Sequence, residues 1–161
     1  MRPAEIKKVL ATLAETPRRI ASMTGGVEDS RIRRKPDEDS WSASDILAHL
    51  RACAEVWGKG IVAMISKDNP VLRHVSPRTW IRKTDYPEQD FSPSLKAFAA
   101  QREDLLKSLR ALATKDWARP ATFTGTTKGR DQTVFSYALR IAEHEERHLG
   151  QTERALSTAP T

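Results

Sequence analysis

Two histidines four residues apart, His144 and His148, are the residues in this chain most suited to chemistry. On a helix that spacing puts both imidazoles on one face, one turn apart, where two ring nitrogens can reach one metal ion. At 100° per residue they share a side with Val134, Ile141 and Thr152, whereas Glu143, Glu146 and Arg147 fall on the opposite, solvated side. The pair therefore points inward. His49 is the third inward histidine, beside the stripe Ile46, Leu50 and Cys53. Neutral imidazoles buried without partners are costly, and a shared metal gives each of them one. The reading is a three-histidine metal site of His49, His144 and His148 that leaves a coordination position open. His74 sits among polar residues and takes no role.

The segment His144-Glu145-Glu146-Arg147-His148 also spells H-E-x-x-H, the zinc metalloprotease signature. Three features oppose that reading. Both middle residues are charged, Gln151 stands where the metzincin extension has glycine, and thirteen residues after His148 leave no room for a glutamate ligand on a later helix. Glu145 still projects near the inward face. It is a candidate to orient a histidine or to accept a proton, against the alternative of a salt bridge to an inward base. Arg102 interrupts an apolar face between Phe98 and Leu105 and needs a carboxylate partner such as Glu55 or Glu145. It is otherwise a candidate to clamp a substrate carboxylate. Cys53, one turn after His49, is placed to approach a metal, where a thiolate would favour zinc. A single cysteine on an apolar stripe is read here as small core.

Four helices must position these residues. The first spans about 3–23, with Pro3 at its start, a helical period through Ile6, Val9, Leu13 and Ile20, and Gly25-Gly26 after it; Pro17 is expected to bend it. The second spans about 43–67 behind the capping-box sequence Ser42-Ala43-Ser44-Asp45. Residues 68–91, with Pro70, Pro77 and Pro87, form a long crossover. The third helix spans about 93–114, capped by Ser92. The connection 115–130, with Gly125 and Gly129, has room for a short hairpin. The fourth helix spans about 131–156, with Asp131 as its cap. Helices of this length, each with one apolar face, pack as an all-α four-helix bundle in one domain over 1–161.

Composition agrees with that reading. The chain has 161 residues, 39% hydrophobic and 30% charged, which is a globular and not a disordered balance. No apolar run is long enough to span a bilayer. Residues 1–13 lack a signal-peptide core, and one cysteine gives no disulfide framework, so a reducing cytoplasmic setting is expected. The net charge of +6 is partly local, at Arg31-Ile32-Arg33-Arg34-Lys35. No aromatic residues interleave that run, so it reads as a solvated loop and helix end, and nucleic-acid binding is not expected.

Together, Trp41-Ser42-Ala43-Ser44-Asp45-Ile46-Leu47-Ala48-His49-Leu50, Phe98 with Arg102, Asp116-Trp117-Ala118-Arg119-Pro120 and His144-Glu145-Glu146-Arg147-His148-Leu149-Gly150-Gln151 resemble the DinB/YfiT-like family of metal-binding helical bundles. The resemblance runs over nearly the whole chain. It implies an up-down-down-up bundle, often dimeric, with His49, His144 and His148 as metal ligands. Family members of known activity include thiol-dependent S-transferases and a thiol-using isomerase. The implied reading is a metal-dependent thiol S-transferase acting on a small-molecule substrate, with a divalent ion (zinc or nickel first, iron or manganese next) and a low-molecular-weight thiol. The resemblance carries over the ligand histidines only; from their own inward positions, Glu145 is the candidate to handle the proton and Arg102 the candidate to hold substrate. A non-catalytic metal-binding protein and a metal-dependent hydrolase are the alternatives.

Overall fold

The computed structural model describes residues 2–126 and 130–157. Its long helices are α1 (Pro3–Thr24), α3 (Ala43–Ser66), α5 (Phe91–Arg110) and α6 (Val134–Ser157), with short helices α2 (Asp29–Arg33) and α4 (Pro77–Trp80) in the connections. Three strands, β1 (Val71–Arg73), β2 (Pro120–Thr124) and β3 (Asp131–Thr133), form a small sheet in the order β1-β2-β3. Among the described residues no helix is long and apolar enough to cross a membrane.

The four long helices make the predicted bundle. α1 packs against α5 and α6, and α3 packs against the same two, so α1 faces α3 across one diagonal and α5 faces α6 across the other. Side-chain pairs fix the directions. Arg19 near the end of α1 meets Glu146 in the second half of α6, while the α1 residues Glu5 and Val9 share a groove with Phe135 and Leu139 at the start of α6; these two helices are parallel. Arg51 of α3 donates to the Ser94 hydroxyl of α5 at 3.2 Å, again early on both helices. α3 and α6 run antiparallel, since His49 meets His144 at one end and a Cβ on Gly60 would lie 3.0 Å from the Tyr137 ring at the other. The order is up-down-down-up. Parallel neighbours cannot be joined by a tight turn, which is why residues 67–90 must travel the length of the bundle.

Local chemistry sets the helix starts. Ser42 and Asp45 form a reciprocal capping box: the Ser42 hydroxyl accepts from Asp45 N at 3.1 Å, and Ser42 N donates to Asp45 Oδ2 at 3.0 Å. α5 begins at Phe91 rather than 93 and ends at Arg110 rather than 114, with a 3₁₀ turn over Thr114–Ala118 taking up the remainder. The start of α6 corrects the sequence reading. Asp131 is not its cap: it lies in β3 and accepts from the Thr122 hydroxyl at 3.1 Å. Thr133 takes the capping role, its hydroxyl accepting from Ser136 N at 3.1 Å while its own N–H donates to Ser136 Oγ at 2.9 Å. α1 runs unbroken through Pro17.

The expected hairpin in the last connection is present as antiparallel β2 and β3; its Gly129 lies outside the described residues, and Gly125 takes φ 77°, a left-handed value natural to glycine. β1, from the crossover, adds to it in parallel, with Leu72 opposite Phe123. His74 N donates to Thr124 O at 2.8 Å and extends that ladder. The basic run at 31–35 is drawn into the fold. Arg31 donates from two nitrogens to the carbonyl of Leu156 at the end of α6, a cation placed where helix carbonyls lack partners, and Arg33 pairs with Asp29 at 2.8 Å.

Two apolar clusters fill the interior. One, around Leu13, Ile61, Met64, Leu109 and Trp117, lies at the sheet end. The other, around Ile46, Leu50, Phe98 and Leu149, lies at the opposite end. The histidines sit where the two meet on the α3–α6 side.

Candidate metal centre

α3 brings His49 and α6 brings His144 and His148 to one point. The Nε2 atoms of His49 and His144 are 3.3 Å apart, and those of His144 and His148 are 3.1 Å apart. The structure thus unites all three histidines that the sequence singles out. Two ligand nitrogens at about 2.0–2.1 Å from a common ion would be about 2.9 Å apart at a right angle and about 3.4 Å apart at a tetrahedral angle. The observed separations fall in that interval. Nε2 atoms at these two separations fit a cation by donor chemistry and spacing alike.

The surroundings hold these rings in the form a cation needs. His49 and His148 are buried and His144 is half-buried. Burial, reinforced by the neighbouring His148 and by Arg78, pushes His49 down to about 4. Burial and the neighbouring His148 and His49 push His144 down to about 3. Burial also lowers His148, against the opposing hydrogen bond that its ring donates to Gln151. All three are neutral at pH 7 with lone pairs available. His148 Nδ1 lies 2.6 Å from Gln151 Oε1, so Nδ1 carries the proton and donates to the amide oxygen, leaving Nε2 bare toward the centre.

Trp41, immediately before the Ser42 cap, covers the cluster. Its ring lies parallel to His148 at 5.9 Å and tilted against His49 at 4.9 Å. Trp57 meets His144 edge-on at 4.7 Å. Two clefts open beside Trp41. A larger one, about 730 Å³, reaches His148 and Gln151; a smaller one, about 290 Å³, reaches His49. Trp41 and Arg78 line both.

Arg102 and Glu145 are brought to each other rather than to the clefts. Arg102 Nη2 donates to Glu145 Oε1, and each residue is 1% exposed. The pair bridges α5 and α6 across the bundle diagonal. Burial raises the Glu145 pKa against the pull of Arg102 and the Thr16 hydroxyl. Neither residue forms a hydrogen bond to a histidine among the described contacts. Of the two partners anticipated for Arg102, Glu55 is engaged elsewhere: its carboxylate accepts from Trp80 Nε1 at 2.8 Å, Tyr86 Oη at 2.9 Å and Lys59 Nζ at 2.8 Å, anchoring the crossover to α3.

Cys53 lies in the apolar core, as expected, and also beside the histidines. Its Sγ lies 3.4 Å from His49 Nε2, and the ligand atoms of His49, Cys53 and His144 all lie within 4.8 Å of one another, a grouping able to hold a metal ion. The sequence carried the signal in the four-residue step from His49 to Cys53 on one helix.

The bundle topology and the cluster of candidate ligands between α3 and α6 can be compared with known proteins. The chain belongs to the DinB superfamily, whose model matches residues 12–152. Among solved structures it is similar to YfiT from Bacillus subtilis, described as a probable metal-dependent hydrolase with an unusual four-helix bundle topology, with a TM-score of 0.84 at 16% identity over 96% of this chain and 87% of that one. At that identity the likeness shows the fold. No curated protein matches the sequence.

Proposed function

We propose that this chain is a divalent-metal-dependent enzyme of the thiol S-transferase type, with His49, His144 and His148 holding the cation. The observation that carries the reading is the meeting of three neutral Nε2 atoms at coordination spacing beneath two separate clefts. A cation held there would lower the pKa of a thiol bound beside it, making thiolate available at neutral pH. The chain's own residues do the rest. Gln151 fixes the tautomer of His148, Trp41 shields the centre from bulk water, and the two clefts give separate approaches for a low-molecular-weight thiol and an electrophilic small molecule. In this reading the Arg102–Glu145 pair is a positioning element that braces α6 behind the histidines.

The test is a conjugation assay with metal-reconstituted protein, a panel of biological thiols and an activated aryl chloride. Thiol adduct that forms only with metal, and is lost in His144→Ala, is expected. No metal-dependent adduct with any thiol would overturn the transferase reading; metal-dependent cleavage of ester or amide substrates by the same protein would replace it with a hydrolase.

A further inference from the structure

Cys53 faces the histidine centre from the interior side, opposite the clefts. It is 1% exposed, one helical turn beyond His49, and its Sγ is nearer His49 Nε2, at 3.4 Å, than His49 Nδ1, at 4.0 Å. The sulfur therefore addresses the same nitrogen that meets His144 Nε2 at 3.3 Å. A neutral imidazole Nε2 offers one lone pair or one N–H, so it cannot fully satisfy two polar neighbours at once. A cation shared by all of them removes the conflict. The spacing agrees: with a metal–sulfur distance of about 2.3 Å and a metal–nitrogen distance of about 2.05 Å, a tetrahedral angle separates the two ligand atoms by about 3.6 Å. The observed 3.4 Å is close to that value. Ordinary core packing of a thiol accounts for its burial but not for sulfur and two imidazole nitrogens gathered within 4.8 Å.

We propose that Cys53 is a ligand of this centre, bound as thiolate with its proton released to solvent, so that the centre selects a thiophilic divalent ion such as zinc or cobalt over manganese or magnesium. The inference rests on the metal-site reading above and adds to it the class of metal. Imidazole donors already favour zinc and cobalt over manganese, and a thiolate widens that preference. With Cys53 as a fourth protein ligand, substrate at the centre requires expansion to a fifth coordination position on the cleft side.

Cobalt(II) titration of the metal-free, untagged full-length protein tests this without any activity. The chain has one cysteine, so a thiolate-to-cobalt charge-transfer band has one source. The parent is expected to bind cobalt with an intense near-ultraviolet band beside its visible ligand-field bands. Cys53→Ser and Cys53→Ala should keep visible bands but lose the ultraviolet one, and their preference for zinc over manganese should fall by about 10- to 100-fold, the scale on which site ligation responds to lost partners. Cobalt bound by the parent with no charge-transfer band overturns the role of Cys53 while leaving the histidine site standing. A band retained in Cys53→Ala overturns it equally. No cobalt uptake by the parent overturns the histidine site and this inference together. Should a variant fail to fold, the parent's own spectrum decides the point.

Discussion

The buried pair between Arg102 and Glu145 makes an asymmetric prediction. Each residue is 1% exposed, and Arg102 Nε and Nη1 have no hydrogen-bond partner among the described residues. Removing one partner strands the other in a medium that penalises charge, at a usual cost of about 3–5 kcal/mol. The two losses are not equivalent. Glu145→Leu leaves a guanidinium that cannot shed its proton. Arg102→Met leaves a carboxyl whose pKa burial already raises, so it can take a proton and escape part of the cost. Glu145→Leu should therefore lose about 4–5 kcal/mol and Arg102→Met about 2–4 kcal/mol, the latter growing as pH rises above the unfolded carboxyl's pKa, because the unfolded chain then releases a proton that the buried carboxyl keeps. At about 2–4 °C per kcal/mol for a chain of this size, Glu145→Leu should lower Tm by about 8–20 °C. The double variant Arg102→Met/Glu145→Leu replaces the pair with apolar groups and should be more stable than either single variant. Urea denaturation of the four proteins at pH 6 and pH 8 reads all of this. Single losses below about 1 kcal/mol, or a double variant whose loss is the sum of the singles, would refute the reasoning.

Ser42→Ala removes the cap that sets the start of α3 before His49; it should cost about 1 kcal/mol, read by thermal denaturation, and an unchanged Tm would remove the cap from the account. The metal-free protein should lose stability in acid. His49 and His144 titrate near 6.5 when unfolded but at about 4 and about 3 when folded, so below pH 6.5 the unfolded chain binds more protons and gains on the native state. Their contribution is present in full above about pH 6.5 and declines through the window down to pH 4 and then pH 3, on the order of 1–2 kcal/mol per ring by pH 5 after allowing for partial solvation. Urea midpoints across pH 5–8 check this, and a flat profile would contradict the buried, neutral histidines.

The sequence made the bundle and its histidines readable because both follow from a local period. His144 and His148 are one turn apart, Ser42 and Asp45 cap α3 by contacts within four residues, and each long helix shows its apolar stripe. Features built from distant pairings were not readable in the same way. β1 joins β2 across some fifty residues, and no local pattern in Val71–Arg73 announces a parallel partner. Asp131 was a reasonable cap by type, yet strand pairing with β2 carried it into the sheet and passed the role to Thr133. Arg102 demanded a carboxylate, but choosing Glu145 over Glu55 required knowing that Trp80 and Tyr86 return from the crossover to occupy Glu55. The weight of Cys53 likewise depended on its distance to His49 and His144, not on its place in an apolar stripe.

The central claim is that His49, His144 and His148 hold one divalent ion. Elemental analysis of the untagged protein after reconstitution and desalting tests it most directly, alongside His49→Ala, His144→Ala and His148→Ala. About one metal ion per chain is expected in the parent, with loss in every variant that remains folded by circular dichroism. A folded parent that carries no metal, or variants that keep the parent's stoichiometry, would contradict it.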